Sequence, residues 1–213
     1  LGDVYKRQIL YNAINTSVYT YSFEKAVTIR EKLHVEQNLV IGHVGRFDAQ
    51  KNHTFLLDIF SECVNIVPNA RLLLVGDGEG RTQIQEKAKS LGLEEKVIFT
   101  GVRNDVADLL QAMDVFVFPS LYEGVPVTMI EAQASGLPCV ISDGVPKDCV
   151  ITSGLVTSMK LSDRPCDWAK HIAAQLNRKR ENHLEEIQAA GYDIVTAAKE
   201  LENFYLKKYG EES

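Results

Sequence analysis

The sequence predicts an α/β protein built on an open parallel sheet with helices on both faces. Two observations carry that prediction: five short apolar runs are continuous rather than alternating, and stretches of helical period separate them. A strand exposed on one face alternates apolar and polar residues. A strand covered on both faces reads as an unbroken run, the mark of a parallel sheet between helix layers. Regular alternation of strand and helix then selects the α/β class, and the expected architecture is a Rossmann-like open sheet.

Taken in order, residues 1–8, LGDVYKRQ, are polar and break from the pattern that follows. Residues 3–8 resemble a translated sequencing-library adaptor, so 1–8 are set apart as a non-native leader, with one domain over 9–213 and a segment upstream expected to be missing. The predicted strands are residues 39–44, 72–75, 97–99, 115–118 and 139–141, each rich in Val, Ile, Leu and Phe. Between them, residues 52–67, 81–91, 105–112 and 128–135 carry apolar residues at spacings of three and four, as in the stripe Phe55, Leu56, Ile59, Phe60 and Val64. Beyond residue 160 the pattern is mainly helical, with helices at 168–176 and 195–206, and residues 200–213 fray into charge.

The chain has 213 residues, 45% hydrophobic and 24% charged, with a net charge of −6. That length allows one or two domains, and that apolar fraction builds a packed core. An acidic chain whose longest basic run is Arg178-Lys179-Arg180 is a poor match for a phosphate backbone, so no nucleic-acid partner is expected. No apolar stretch nears the roughly 18 residues that span a bilayer and nothing reads as a signal peptide, so a soluble, cytoplasmic protein is expected. Cys63, Cys139, Cys149 and Cys166 form no C-x-x-C pair and are expected as free thiols.

In open α/β sheets, ligands bind beyond the carboxyl ends of the strands. After the first strand, GRFDAQKN places Arg46 and Lys51 in one loop, where two cations can converge on a multiply charged anion; a solvated loop is the alternative. After the second, Gly76-Asp77-Gly78-Glu79-Gly80 allows close backbone approach ahead of a helix N-terminus. Two carboxylates inside that loop would repel a pyrophosphate, and a turn that only reverses the chain accounts for it as well. After the third, Gly101-Val102-Arg103-Asn104-Asp105 precedes a helix capped by Asn104 or Asp105; its main chain either reads a base or forms a plain connection.

After the fourth strand, Pro126 suits the first turn of a helix, Glu123 stands outside its positive end, and Glu131 lies about 7.5 Å further along. An extended ligand could present hydroxyls to both carboxylates and its anionic middle to the helix N-terminus. Glu131 stands out because its helix is otherwise apolar, where an unpaired carboxylate is costly. His43, in the first strand, reads as a packed core residue, while His34, His53, His171 and His183 fall in helical or surface patterns and do not cluster. Trp168 reads as core. No Asp-x-Asp or His/Asp cluster suggests a metal.

GRFDAQKN, VGDGEG, FTGVRNDV and PSLYEGVPVTMIEAQASGLPCV, in that order, resemble the C-terminal half of a family 4 glycosyltransferase of the GT-B fold, of the bacterial capsular and exopolysaccharide type. The resemblance covers about residues 9–210. It implies a domain that binds a nucleotide-sugar donor, a UDP-sugar, for transfer with retention to a saccharide or lipid-linked acceptor, without metal or other cofactor. It implies that Arg46 and Lys51 clamp the diphosphate, that Glu123 meets the sugar hydroxyls and that Glu131 holds the ribose. Arg46, Lys51 and Glu123 would then form the catalytic group. The amides of Gly124, Val125 and Val127 would face phosphate, and Val102 and Arg103 complete the donor-binding set.

An N-terminal acceptor domain is expected to be absent, leaving the isolated chain inactive in transfer and exposing, where that domain and a closing helix at about residues 194–209 would have packed, apolar surface that favours self-association. Peripheral association with the inner face of the membrane is expected of the full-length enzyme. The chain departs from the common pattern at Pro126, where many members have glycine, which removes one amide. It departs again at Asp143-Gly144-Val145-Pro146, so no sugar contact is carried over there. Three other readings stand beside this one: a nicotinamide-dependent oxidoreductase, which should show G-x-G-x-x-G after the first strand and does not; a nucleotide-sugar epimerase; and a non-catalytic nucleotide-sugar-binding module.

Overall fold

β1 (Leu39–Val44), β2 (Ala70–Val75), β3 (Val97–Phe99), β4 (Val115–Phe118), β5 (Cys139–Ser142) and β6 (Val156–Met159) pair in parallel as one sheet, in the order β3-β2-β1-β4-β5-β6. The computed structural model describes residues 12–152, 154–176 and 178–210, and the leader expected at 1–8 lies outside them. Successive strand residues enter opposite cores, which is why the runs are unbroken. Ile41, Leu72, Leu74, Val115 and Val117 face α3 (His53–Ile66), α4 (Arg81–Ser90) and α7 (Pro165–Gln175). Val40, Leu73, Phe116 and Phe118 face α2 (Phe23–Lys32), α5 (Val106–Ala112) and α6 (Val127–Ala134). Each fully buried side chain of this size contributes about 1.5–3 kcal/mol.

Five of the six strands stand where the apolar runs place them. The sixth, β6, was not anticipated: Val156-Thr157-Ser158-Met159 is half polar, as an edge strand with one neighbour can be. Three helices were also unanticipated. α1 (Thr16–Tyr19) and α8 (Leu184–Ala189) are too short to show a period, and α2 turns only Ala26 and Ile29 fully inward. α9 (Ile194–Gly210) does not fray at residue 200; Lys207 and Lys208 in its last turn complement the helix dipole. Val195, Tyr205 and Leu206 of α9 are exposed.

Of the basic run, Arg178 and Lys179 are exposed, the Arg178 guanidinium donating to Gly154 O, while the Arg180 guanidinium turns inward, donates to the carbonyls of Leu110, Met113 and Ser135 and lies over the Tyr21 ring. Pro126 is the N-cap of α6 rather than its first residue. Asp105 occupies the N-cap of α5 but makes no capping bond, because its carboxylate is taken by Arg103.

The glycine loop after β2 serves the protein's own backbone. Phe47 N–H donates to Asp77 O (3.0 Å) and Gly80 N–H to Phe47 O (2.9 Å), zipping this loop to the one after β1. Gly76 has a φ of 134°, and a Cβ there would overlap the carbonyl oxygen of Gly45. The chain-reversal reading is the one supported, with Asp77 held by Gly78 N–H and Arg81. Gly76→Ala should therefore lower the unfolding free energy by about 3 kcal/mol in chemical denaturation, from strain plus clash. A loss below about 1 kcal/mol would show that the loop after β1 yields instead.

Candidate functional site between the ends of β1 and β4

The strand order reverses between β1 and β4, and at such a switch point the loops leaving two neighbouring strands diverge to opposite faces and open a crevice. Residues 45–52 and 119–126 line that crevice. Asp48 organises the first loop: its Oδ1 accepts from Lys51 N–H (3.1 Å) and its Oδ2 from Arg46 Nε (2.8 Å). A short 3₁₀ turn, Ala49–Lys51, follows, and Asn52 then adopts the left-handed region (φ 54°), where asparagine is tolerated. The turn aims Lys51 into the crevice. Arg46 lies at its rim, 75% exposed.

Lys51 Nζ meets Glu123 Oε1 at 2.6 Å, with the two side chains only 16% and 6% exposed. Nζ also lies 4.7 Å from the centroid of the Phe118 ring, so both a carboxylate and a π face hold the ammonium. Gln50, not singled out in the sequence, staples the two loops. Its carbonyl accepts from Leu121 N–H (2.8 Å), and its amide donates to Tyr122 O (3.0 Å) and Glu123 Oε2 (3.1 Å). Asn52 Nδ2 adds a bond to Pro119 O (3.2 Å). Behind Glu123, its N–H donates to Gly144 O (3.1 Å), and Gly144 is a glycine because the carbonyls of Ser120 and Leu121 pass against it. The departure at 143–146 thus bears on how Glu123 is aimed.

Glu131 sits in the second turn of α6, half-buried, and is not unpaired: Tyr19 Oη donates to its Oε1 at 2.6 Å. Burial pushes the Glu131 carboxyl above the usual carboxylate range, and the Tyr19 bond pulls it part of the way back. Nothing in the local pattern around residue 131 could announce a partner that far back in the chain. The amides of Val127 and Thr128, in the first turn of α6, have no intrahelical acceptor and face the positive end of the dipole. Gly124 and Val125 lie exposed at that end.

The remaining predicted residues are less engaged. Val102 is 80% exposed, and the Arg103 guanidinium is held by Asp105 (Nη2 to Oδ2 2.6 Å). Beside them residues 104–108, leading into α5, line a cavity of about 470 Å³ together with Val18, Tyr19, Lys25 and Glu131. A larger one of about 750 Å³ lies between the loops after β1 and β2, bordered by Arg46, Asp48, Asn52, His53 and Gly78 to Gly80. Among the described residues no group of three or more His, Cys, Asp or Glu side chains is placed to hold a metal, and no helix is long and apolar enough to cross a membrane.

His53, read from sequence as one of four histidines that do not cluster among themselves, is buried and packs against the core residue His43. Their rings meet edge-on at 4.7 Å, and His53 stacks on Phe47 at 4.2 Å. His43 is a core residue as expected, with Nδ1 bonded to Val117 O at 2.9 Å, so that nitrogen carries the proton. His43 Nε2 and both nitrogens of His53 are buried without a hydrogen-bond partner among the described residues. Burial and then the nearby Lys51 charge push His53 down to about 4, while burial and then His53 hold His43 well below its usual range. The pair is a neutral floor beneath Lys51.

A family model described as "Glycosyl transferases group 1" matches residues 38–178. EpsF of Bacillus subtilis, a putative glycosyltransferase, is 42% identical over 170 residues, which is 78% of this chain and 44% of EpsF. The Escherichia coli UDP-Gal:alpha-D-GlcNAc-diphosphoundecaprenol alpha-1,3-galactosyltransferase is 30% identical over 153 residues, 70% of this chain and 40% of that protein. The chain thus spans less than half the length of these curated relatives. Among solved structures, HepE of Anabaena in complex with UDP has the same fold, with a TM-score of 0.80 at 23% identity over 94% of this chain and 57% of HepE.

The buried imidazole gives a pH prediction of definite sign. An unfolded histidine titrates near 6.5, while folded His53 resists protonation down to about 4. The unfolded chain therefore binds more protons in that window, and the stabilisation is complete above it and lost as pH falls through it. Between about pH 7.5 and 5 the loss from His53 is about 2 kcal/mol, and His53→Phe should remove that much of the pH dependence of unfolding. An unchanged pH slope in the variant would contradict the assignment.

Proposed function

The chain belongs to the group 1 glycosyl transferases, and from that membership we propose that it binds a nucleotide-sugar donor, a UDP-sugar, in the crevice between β1 and β4 for transfer of the sugar to a saccharide or lipid-linked acceptor. The observation that carries this reading is the juxtaposition of Lys51 with Glu123 at 2.6 Å, with Arg46 at the rim and the amides of α6 alongside. A diphosphate joined to a sugar is an anion next to a row of hydroxyls. It offers a replacement partner for each half of the ion pair at once. In this reading Arg46 and Lys51 hold the diphosphate, the α6 amides at Val127 and beyond meet its oxygens, Glu123 receives the sugar hydroxyls and Glu131 the ribose.

As the bond between the anomeric carbon and the phosphate oxygen breaks, its electron pair leaves with the nucleoside diphosphate. Fixed cations and a helix N-terminus aimed at that oxygen stabilise the departing charge without a metal, which is the metal-independent course we propose. Retention at the anomeric carbon is part of the same proposal and rests on the family resemblance. Cytoplasmic location, with the full enzyme at the inner membrane face, belongs to it too. The UDP bound by HepE and the UDP-Gal and lipid-linked acceptor named for the E. coli relative support the donor and acceptor classes.

Calorimetry separates the phosphate end from the nucleoside end. Lys51→Met, which keeps the aliphatic stem, and Arg46→Ala should each weaken UDP about tenfold and leave uridine within about twofold, since a hydrogen bond to a charged group is at stake. Equal losses for nucleotide and nucleoside would contradict the assignment. Glu123→Gln should spare UDP and weaken only the sugar-bearing donor, and the reverse pattern would overturn the division of roles.

A further inference from the structure

We infer that Tyr19 is a positioning residue for the ribose end of the donor: its hydroxyl holds Oε1 of Glu131 so that Oε2 is the oxygen presented to the ribose hydroxyls. This rests on the preceding reading that Glu131 receives the ribose. The bond, 2.6 Å from Tyr19 Oη to Glu131 Oε1, is in the short range of a hydroxyl on a carboxylate. A carboxylate has two oxygens, and one fixed by a side-chain donor leaves the other with a defined direction.

Tyr19 is itself held on several sides. It ends α1, whose first residue, Thr16, donates through Oγ1 to Asp193 Oδ1 (2.6 Å). Ile14, just before α1, exchanges backbone bonds with Tyr192 O (2.8 Å) and Ile194 N–H (2.9 Å) at the start of α9. On the other side Gln111 Nε2 donates to Tyr19 O (3.3 Å), and Gln111 Oε1 accepts from Ser22 N–H (3.0 Å). The Tyr19 ring packs against the apolar residues under α5 and α6. The hydroxyl is thus delivered to Glu131 by a segment anchored at both ends, which is what positioning requires.

Tyr19 and Glu131 both line the cavity of about 470 Å³ beside residues 104–108, within the range of small-molecule sites. The other charged groups on that cavity have partners: Lys25 pairs with Asp108 at 3.7 Å and Asp105 with Arg103. Among the described residues, Tyr19 is the side chain that donates to the Glu131 carboxylate. Burial and the adjacent carboxylate push the Tyr19 hydroxyl far above its usual range, so it remains a donor at any working pH.

The test compares UDP with its dideoxyribose analogue on the wild-type chain and on two variants. Tyr19→Phe keeps the ring in its packing and removes only the hydroxyl. It should weaken UDP about tenfold and leave the analogue within about twofold, so that the preference for ribose collapses. Equal weakening of both ligands, or of neither, would overturn the proposal, because a merely structural role does not distinguish them. Glu131→Gln separates the two claims. If it erases the preference while Tyr19→Phe preserves it, Tyr19 is not a positioning residue. If it leaves the preference intact, the ribose role of Glu131 fails and the inference falls with it.

Discussion

The Lys51–Glu123 ion pair joins the two loops on which the rest of the crevice depends. Both side chains are nearly out of water, so neither tolerates losing its partner; breaking such a pair costs about 3–5 kcal/mol when one charge is left uncompensated. In the proposed reading, a sugar joined to a diphosphate offers a partner to each of the two side chains in one binding event. Gln50 supports the pair from the side, its amide donating to Glu123 Oε2 and the Tyr122 carbonyl.

The backbone around the pair is built by close approach. The loop after β2 bonds to the main chain at Phe47, and Gly144 lets the 143–146 loop press on Ser120 and Leu121. Glycines there do for the protein's own chain what a phosphate-binding loop does for a ligand: they remove Cβ atoms from a crowded plane. Beside Lys51, His43 and His53 pack as neutral rings in contact with each other.

The sheet was legible because burial on both faces leaves unbroken apolar runs, a one-dimensional signal that survives in sequence. β6 was not, because an edge strand covered on one side needs no such run; nor were α1 and α8, too short to repeat. Glu131 was visible as a carboxylate in an apolar helix and Arg46 and Lys51 as cations in one loop. Their partners were hidden. Tyr19 and Glu131, and Gln50 and Glu123, meet only because the fold brings segments distant in sequence together, and His43 and His53 meet across the connection from β1 to α3. The glycine loop left two readings open, since a turn that accepts a ligand and one that accepts a neighbouring loop require the same residues.

The most direct measurement is a crystal structure of this chain soaked with UDP-glucose. The account predicts the β-phosphate within hydrogen-bonding distance of Lys51 Nζ and the Arg46 guanidinium, the hexose hydroxyls on Glu123, and the ribose on the oxygen of Glu131 that Tyr19 leaves open. Nucleotide density elsewhere on the surface, with the Lys51–Glu123 pair and the crevice between β1 and β4 undisturbed, would contradict it.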